Sequence, residues 1–435
     1  SSQGQVDEEV LLSSMALASS NGLHRKPRRR YCKSWVLWVS VLLVFSSTVH
    51  VNLKLWRDNP HTDMGRLLSP FNQSSVQDYS QSENPLLELL HHARIGLERK
   101  EIDDLPKWNE VVQRFGGSPR ILGLETCSSF RQINPNKELR LIAPAGIFNS
   151  GTNLLYHLLA KNCRPSPSNK FSFSGTGIDW QVNWGKHQSP RFRTENTLRA
   201  FKNVSAILPV VVVRDPWTWL QSMCVQNYAA IWYHVLGPEG HCPNLVPSEV
   251  ERQWYFKRRK EVEEYFNHDL PKVRNVLLKA NFTLDMKTVP VNVRFKNEVA
   301  RHESLAHFWK SWYDEYYNAD FPRLMIRLED LVFHPYQTLQ SICACSEGKF
   351  VSQQNLTLLA GSVKSSTDRA HSKTRKTDLI SAFYLHLRSN RTHGMTLDDL
   401  ALSKEVLDNS KVREYFGYQP PTFEVYGRFD GLANS

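Results

Sequence analysis

The chain has 435 residues, of which 41% are hydrophobic, and it carries a formal net charge of +11. This length and composition are sufficient for one large or two ordinary domains, each with its own core. The positive charge fits either an anionic ligand or a generally basic surface, and charge alone does not separate the two. Because the sequence has no zinc-finger, RNA-binding or basic-zipper pattern, no nucleic-acid partner is predicted.

An uncharged apolar segment lies near the N-terminus. Residues 34–53, SWVLWVSVLLVFSSTVHVNL, contain no Lys, Arg, Asp or Glu, and as a helix they would extend about 30 Å, the hydrocarbon thickness of a bilayer. Lys and Arg crowd residues 25–33, so the positive-inside rule places the N-terminus in the cytosol and the rest of the chain in a lumen. A buried core helix or the apolar part of a signal peptide is the alternative.

Composition divides the remaining sequence into a stem and a globular part. Residues 54–84 are rich in Ser, Gln and Asn, and 85–100 have a helical periodicity that would extend this stem. The globular part is predicted to begin near Ser118. The predicted organisation is a cytoplasmic tail at 1–33, a transmembrane signal-anchor helix at 34–53, a stem at 54–117 and a luminal domain at 118–435.

Six cysteines follow the apolar segment and would lie in an oxidising lumen, where disulfides form. The sequence does not fix their pairing. Cys224–Cys242 is the preferred pair, because it would close a short segment after a predicted helix; buried free thiols are the alternative. Five Asn-X-Ser/Thr triplets predict a glycoprotein: Asn72, Asn203, Asn281, Asn355 and Asn390.

Strands and helices alternate through the globular part. LRLIAPAG (139–146) is a predicted strand that precedes the helix TNLLYHLLAKNC. AILPVVVVRD (206–215) is an apolar strand of the kind buried on both faces of a parallel sheet, and the next helix begins at Pro216. Residues 229–300 are less regular and are interpreted as an insertion that shapes a binding site. Beyond them come the helix ARHESLAHFWKSWYDEYYNA, the strand RLMIRLEDL and the helix HPYQTLQSICAC. This alternation indicates an α/β sandwich built on a parallel sheet.

The loop GIFNSGTN (146–153) joins the first of these strands to its helix. Gly146 and Gly151 have the spacing of a phosphate-binding loop, in which glycines let the backbone approach an oxyanion and helix N-terminal N–H groups bind it. A nucleoside triphosphatase has Lys and then Ser or Thr after the second glycine, whereas this chain has Thr152 and Asn153. ATP or GTP hydrolysis is therefore disfavoured, and an ordinary turn is the alternative.

A second motif follows the apolar strand. Arg214 lies at the end of that strand, and Ser222 lies two turns into the following helix. A guanidinium and a hydroxyl at these positions could hold a second phosphate through charge-assisted hydrogen bonds. A structural salt bridge and an ordinary helix serine are the alternative.

Together these motifs resemble the sulfotransferase superfamily, whose members use 3′-phosphoadenosine 5′-phosphosulfate (PAPS). In the loop motif, the matching residues are Gly146, Ser150, Gly151 and Thr152, and the departures are Phe148, Asn149 and Asn153. In the second motif, the matches are Arg214, Asp215, Pro216 and Ser222. RLEDLVFHPYQTL (327–339) is similar to a third family segment, and the predicted anchor and stem are similar to those of Golgi carbohydrate sulfotransferases.

The resemblance implies a fold, a cosubstrate and a place in the cell. The fold would be a P-loop-type three-layer α/β sandwich with a central parallel sheet, preceded by a transmembrane helix and a stem. The 5′-phosphosulfate of PAPS would bind residues 146–153, including Asn149 and Asn153, and its 3′-phosphate would bind Arg214 and Ser222. The protein would be a single-pass type II protein of the Golgi membrane, and no metal would be needed.

Asn149 stands where the family has Lys or Arg, a cation that neutralises charge on the bridging oxygen during transfer. Either another cation replaces it, or the enzyme is weak or inactive. Lys186 and His187 loosely resemble a family segment in which a His is the general base and a Lys assists it. Lys186 could then supply the cation, and His187 could accept a proton from the acceptor hydroxyl. A surface Lys-His pair, or a Glu acting as the base, is the alternative.

The predicted function is sulfuryl transfer from PAPS to a hydroxyl acceptor, with a glycan as the favoured class. A homologue that binds PAP (the desulfated product of PAPS) or a glycan without turnover is the first alternative. A P-loop kinase is the second. A basic run at 363–376 could close over the nucleotide or remain a solvated loop.

Overall fold

The computed structural model describes residues 84–166, 172–193, 203–232, 241–268, 283–295, 298–361 and 378–422. Residues Val76–Ser435 form one compact unit. The predicted tail (1–33), the predicted membrane span (34–53), residues 54–83 of the predicted stem and the basic run at 363–376 lie outside the described residues.

The described helices are α1 (Pro85–His92), α2 (Arg99–Asp104), α3 (Trp108–Phe115), α4 (Cys127–Ile133), α5 (Thr152–Asn162), α6 (Pro216–Val225), α7 (Glu249–His268), α8 (Leu305–Tyr317), α9 (Leu328–Phe333), α10 (Pro335–Cys345), α11 (Leu379–Arg388), α12 (Leu397–Asp408) and α13 (Lys411–Phe416). The described strands are β1 (Ile121–Leu122), β2 (Leu141–Ala145), β3 (Cys163–Arg164), β4 (Ile207–Val213), β5 (Ala230–Ile231), β6 (Val291–Arg294), β7 (Val299–His302), β8 (Leu324–Arg327) and β9 (Lys349–Phe350). Short 3₁₀ turns are found at Leu124–Thr126, Lys137–Leu139, Pro190–Phe192, Val204–Ala206 and Gln353–Asn355.

The main sheet has four strands in the order β1-β8-β4-β2. Strands β2 and β4 run parallel, with Leu141 opposite Ile207, and β4 and β8 run parallel, with Val210 opposite Leu324. Strand β1 joins the outer edge of β8 in the antiparallel direction. The other strands form two small antiparallel sheets, β3-β9 and β5-β6-β7.

The prediction of a P-loop-type three-layer sandwich with a central parallel sheet is therefore wrong. The main sheet is small and mixed, because the two-residue strand β1 closes its edge antiparallel to β8. Alternation of strands and helices predicts parallel pairing only for strands joined by helical crossovers, and β1 has no such crossover to β8. The region at 229–300, interpreted as an irregular insertion, contributes two strands and part of a third to the β5-β6-β7 sheet.

The transmembrane part of the fold prediction gains no support from the described residues. None of their helices is long and apolar enough to cross a bilayer. The longest described helix, α7, spans 20 residues but carries charged side chains along its length. The segment 34–53 itself is outside the described residues.

Both faces of strand β4 are buried, which explains its unbroken apolar sequence. Its odd-numbered residues Ile207, Val211 and Val213 pack in one apolar cluster with residues of helices α6 and α8. Its even-numbered residues Leu208, Val210 and Val212 pack in a second cluster with residues of helices α5 and α10. The carboxyl end of β4, where Arg214 follows, is thereby fixed from both sides.

Helices α1 and α3 also pack on the second cluster. The side chains of Leu86, Leu90, Val111 and Phe115 are at most 3% exposed. Phe115 stacks on Phe333 with ring centroids 5.5 Å apart. The C-terminal part of the predicted stem is therefore helical, as its periodicity indicates, and it also contributes apolar residues to the core.

Three disulfides join distant elements of the structure. The predicted Cys224–Cys242 bond is confirmed. Cys127–Cys345 and Cys163–Cys343 tie the end of helix α10 to α4 and to β3. The sequence left these two pairs open.

Candidate functional site

The loop between β2 and α5 is a tight turn that requires glycine at both predicted positions. A Cβ atom at Gly146 would lie 2.3 Å from Ser150 Oγ and 3.1 Å from the Val212 carbonyl oxygen. Gly151 has a φ of +91°, and a Cβ there would lie 2.4 Å from Leu328 Cδ1. The Ser150 hydroxyl donates to the Ile147 carbonyl at 2.8 Å and so closes the turn on itself.

Helix α5 begins immediately after this turn. Its first backbone hydrogen bond runs from the Leu155 N–H to the Gly151 carbonyl at 3.1 Å. The N–H groups of Thr152, Asn153 and Leu154 precede that bond and are the donors that a helix leaves open at its N-terminus. Such donors favour an anion at this end of the helix.

Asn149 ties the loop to helix α6 through both its side chain and its backbone. It has a φ of 60°, a left-handed conformation that Asn tolerates better than most residues. Its amide donates to the Gln226 carbonyl at 2.7 Å and to the Ser222 carbonyl at 3.3 Å. Its own carbonyl accepts from Arg214 Nη1 at 2.9 Å. Asn149 therefore stabilises the end of α6, a role that its sequence position does not reveal.

Arg214 follows the last residue of β4 and is 6% exposed. No carboxylate of the described residues forms an ion pair with it, and its Nε is buried without a hydrogen-bond partner among them. Burial lowers the pKa of Arg214, against the attraction of Glu329 and Asp215. A buried guanidinium without a close counter-ion is energetically costly, and an anion would relieve that cost.

Ser222 lies on helix α6, as predicted, and is partly buried. Its hydroxyl donates to the Thr218 carbonyl at 3.2 Å, an ordinary bond to the preceding turn. Its connection to Arg214 runs through Asn149, which contacts the Ser222 carbonyl on one side and the Arg214 guanidinium on the other. The structure thus places both predicted phosphate motifs in one hydrogen-bonded group.

Lys186 lies beside the first turn of α5. Its carbonyl accepts from the Gly146 N–H at 2.8 Å, and its Nζ donates to Asn153 Oδ1 at 2.7 Å. The ammonium also lies 4.0 Å from the ring centroid of Trp180, a cation–π contact. Burial lowers the pKa of Lys186 to about 8. The chain therefore has a cation next to the loop, although it is not at position 149.

His187 packs against the same loop from the other side of Gly146. Its Nδ1 lies 2.7 Å from the Gly146 carbonyl oxygen, and its ring lies 4.8 Å from that of Phe148. Because a carbonyl only accepts, Nδ1 carries the proton and Nε2 keeps a lone pair in the neutral ring. Burial and the charge of Lys186 lower the pKa of His187 to about 4, despite the opposing hydrogen bonds to the backbone of Gly146 and Ile147. The imidazole is therefore neutral at ordinary pH.

Glu329 is a supporting residue to which the sequence assigned no role. It is fully buried and accepts from the Asp215 N–H at 3.2 Å and from the Tyr418 hydroxyl at 2.7 Å. Burial alone would raise the pKa of Glu329, but His386 and the Tyr418 hydroxyl outweigh it and lower the pKa to about 2. The carboxylate holds the turn that carries Arg214 and Asp215. The signal for this residue was the third family-like segment, RLEDLVFHPYQTL, which contains it.

Comparison with known proteins adds no relative to this description. The chain matches no protein-family model. A search of curated proteins finds no match either.

Proposed function

We propose that this protein transfers a sulfuryl group from PAPS to a hydroxyl acceptor, with a glycan as the favoured acceptor class. The observation that supports this most directly is the buried Arg214, which donates to the Asn149 carbonyl and has no ion-pair partner among the described residues. A guanidinium held against a phosphate-loop-like turn favours a ligand with more than one anionic group.

The residues present fit a nucleotide with anions at both ends. Open N–H groups at the start of α5 and the ammonium of Lys186 would hold the phosphosulfate end. Arg214, with helix α6 and its Ser222, would hold the 3′-phosphate. Because Gly146 has no side chain, the turn can close tightly and its backbone N–H groups can approach an oxyanion.

PAPS would supply the sulfuryl group, and the chain would supply a general base and a cation. His187 Nε2 can accept the proton of the acceptor hydroxyl, because the Gly146 carbonyl keeps the other ring proton on Nδ1. The acceptor oxygen then bonds to sulfur as the bond from sulfur to the bridging oxygen breaks, which releases PAP. Lys186 can stabilise the negative charge that develops on that oxygen, in place of a cation at Asn149.

The three disulfides support a secretory compartment as the place of this activity, because such bonds persist in oxidising environments. A type II membrane topology in the Golgi stays a prediction from the sequence.

The proposal is tested by offering the purified full chain radiolabelled PAPS and a panel of glycans, with PAP affinity measured by calorimetry. We expect PAP binding and transfer of label to at least one acceptor. Lys186→Gln should reduce transfer by about 10²–10³-fold, the range for loss of one preorganised charge-stabilising group. Arg258→Gln removes the same charge from the exposed face of α7 and serves as the control.

Two outcomes would replace the proposal. PAP binding with no transfer to any acceptor would establish a binding protein in place of an enzyme. ATP binding and phosphoryl transfer without PAP binding would establish a kinase. No binding of either nucleotide would remove the basis for a nucleotide site.

A further inference from the structure

A cavity of about 370 Å³ is lined by no residue of the loop at 146–153. It is bounded by helix α3, the end of helix α11, Asp215 and residues 417–419. Its volume is at the lower end of the range for small-molecule sites. None of the residues predicted to bind PAPS lines it. It therefore requires an explanation of its own, one that does not depend on the proposed sulfuryl transfer.

The two carboxylates of the cavity are already engaged. Glu110 accepts from Arg388 at 2.9 Å, and this hydrogen bond lowers the pKa of Glu110. Asp215 accepts from Arg391 Nη1 at 2.9 Å and from the Thr218 N–H at 2.8 Å. Arg391 and Asp215 thus neutralise each other. Both acids are therefore bonded directly to arginines other than Arg114.

Arg114 adds a further positive charge to the cavity. Its Nη1 donates to the Leu387 carbonyl at 2.6 Å, whereas its Nη2 is buried and has no partner among the described residues. No described carboxylate forms an ion pair with this guanidinium, and burial with the charge of Arg391 lowers the pKa of Arg114 despite the attraction of Asp215 and Glu329. The Leu387 carbonyl satisfies one donor, but the guanidinium has no directly bonded anion among the described residues, which is unfavourable for a largely buried group.

Two amide side chains extend this polar surface. Gln113 and Gln419 both line the cavity, and neither side chain forms a hydrogen bond with another described residue. An amide donates and accepts, so it suits a hydroxyl or a further oxygen of the ligand that an arginine would anchor. An arginine with flanking amides is therefore suited to a small, oxygen-rich anion.

We propose that the Arg114 cavity binds a small hydroxylated molecule that bears one oxyanion, either a carboxylate or a sulfate ester. Arg114 pairs with the oxyanion, and Gln113 and Gln419 bond to the hydroxyl groups. The ligand supplies the directly bonded anion that Arg114 does not have among the described residues.

The test is calorimetric titration of the full chain at constant ionic strength with D-glucuronate, D-galactose 6-sulfate and neutral D-glucose. We expect at least one of the two anions to bind and glucose not to bind. Glucuronate binding identifies a carboxylate site, and galactose 6-sulfate binding identifies a sulfate-ester site. Arg114→Gln should raise the Kd of the bound anion at least tenfold. Arg258→Gln, which removes an exposed positive charge elsewhere, should leave the Kd within twofold.

A structural role for Arg114 makes a different prediction. In that case Arg114→Gln would lower the melting temperature through loss of the bond to the Leu387 carbonyl but would leave the Kd of the anion unchanged in the folded variant, whereas a binding role requires the Kd to rise. If Arg114→Gln does not fold, Gln113→Ala at the exposed rim decides the matter, because it should raise the Kd at least threefold. The proposal is overturned if neither anion binds, if glucose binds equally well, or if the variants that fold bind like the wild type.

Discussion

The contacts of Asn149 indicate a structural role that differs from the one its sequence position suggests. In the sequence it stands where a cation is expected, and it therefore suggests a weakened enzyme. In the structure its amide is bonded to the carbonyls of Gln226 and Ser222, and its backbone is left-handed. The residue is a structural tie between the loop and helix α6, and the nearby cation is Lys186.

Asn149→Lys should therefore destabilise the protein and should not increase its activity. The lost hydrogen bonds and a left-handed Lys together should lower the free energy of unfolding by about 1–3 kcal/mol. Asn149→Gly loses the same amide but accepts the backbone conformation, so it should lose less. Denaturant unfolding of both variants measures the difference. A Lys variant that is as stable as wild type and faster in sulfuryl transfer would contradict this role.

Lys186 and His187 predict the pH dependence of the proposed reaction. His187, with a pKa of about 4, loses its lone pair as the pH falls through that value. Lys186, with a pKa of about 8, loses its charge as the pH rises through that value. We expect kcat/KM to fall on both sides of a plateau between about pH 4 and pH 8.

A matched substitution separates the two limbs of this profile. Lys186→Arg keeps its charge at high pH, so it should remove the alkaline limb from the activity that remains. His187→Gln should reduce kcat by about 10²–10⁴-fold. Persistence of the alkaline limb in Lys186→Arg would show that a different group titrates there.

Three separate elements meet at His241, beside the Cys224–Cys242 disulfide. Its Nδ1 lies 2.9 Å from Glu251 of helix α7, and its Nε2 lies 2.8 Å from the fully buried Asp399 of helix α12. Asp399 also accepts from the Leu245 and Val246 N–H groups at 2.7 and 2.9 Å. Burial would lower the pKa of His241, but the two carboxylates outweigh it and raise the pKa to about 9.

This cluster predicts a loss of stability in mild alkali. Since the folded pKa exceeds the ordinary value, the contribution is full below about pH 6.5 and is lost as the pH rises through about 9. The free energy of unfolding of wild type minus that of His241→Gln should therefore shrink between these pH values. Denaturant unfolding at a series of pH values measures this difference. A difference that is independent of pH would contradict a charged imidazole.

Two disulfides hold the end of helix α10, and their α10 cysteines are two residues apart in the sequence. Cys343 pairs with Cys163, and Cys345 pairs with Cys127. While one bond remains, the other closes a much shorter ring in the unfolded chain than it would alone. The two bonds should therefore not act independently.

Replacing either pair by serine should lower the free energy of unfolding by about 2–4 kcal/mol. Replacing both pairs should lower the free energy of unfolding by more than the sum of the two single losses, because no disulfide then closes the large ring in the unfolded chain. The Cys224–Cys242 pair, which spans 18 residues elsewhere in the chain, is the control and should add independently to either. Strict additivity of the two α10 pairs would contradict this coupling.

The sequence predicts best those elements whose own residues determine them. Strand β4 and helix α6 follow from an apolar run that ends before Pro216, and both are found as predicted. Strands β6 and β7 are four residues each and include Asn292 and Arg301, so their pairing depends on partners that periodicity does not reveal. The orientation of Asn149 likewise depends on Gln226, 77 positions away. Long-range contacts of this kind are absent from any local pattern.

Across the whole molecule, helices α1 and α3, which precede residue 118, contribute to the core. Arg327, itself 1% exposed, donates to the Phe115 carbonyl at 2.7 Å. Burial of Leu86, Leu90, Val111 and Phe115 contributes about 6–12 kcal/mol. That is comparable to the total stability of an ordinary domain, about 5–15 kcal/mol.

A chain that begins at Ser118 should therefore fail to fold stably, whereas a chain that begins at Asn84 should retain these contacts. Circular dichroism and thermal melting of the two chains compare them directly. Equal melting temperatures would show that α1 and α3 are dispensable for the core.

The connectivity of the α10 disulfides also affects the order of events during synthesis. Cys163 is made 180 residues before Cys343, and Cys127 is made 218 residues before Cys345. At ordinary translation rates the earlier thiols wait about 10–40 s for their partners. During that interval they are free to react with each other. A nascent chain interrupted before α10 contains neither partner, so correct oxidation becomes possible only when most of the polypeptide has been made.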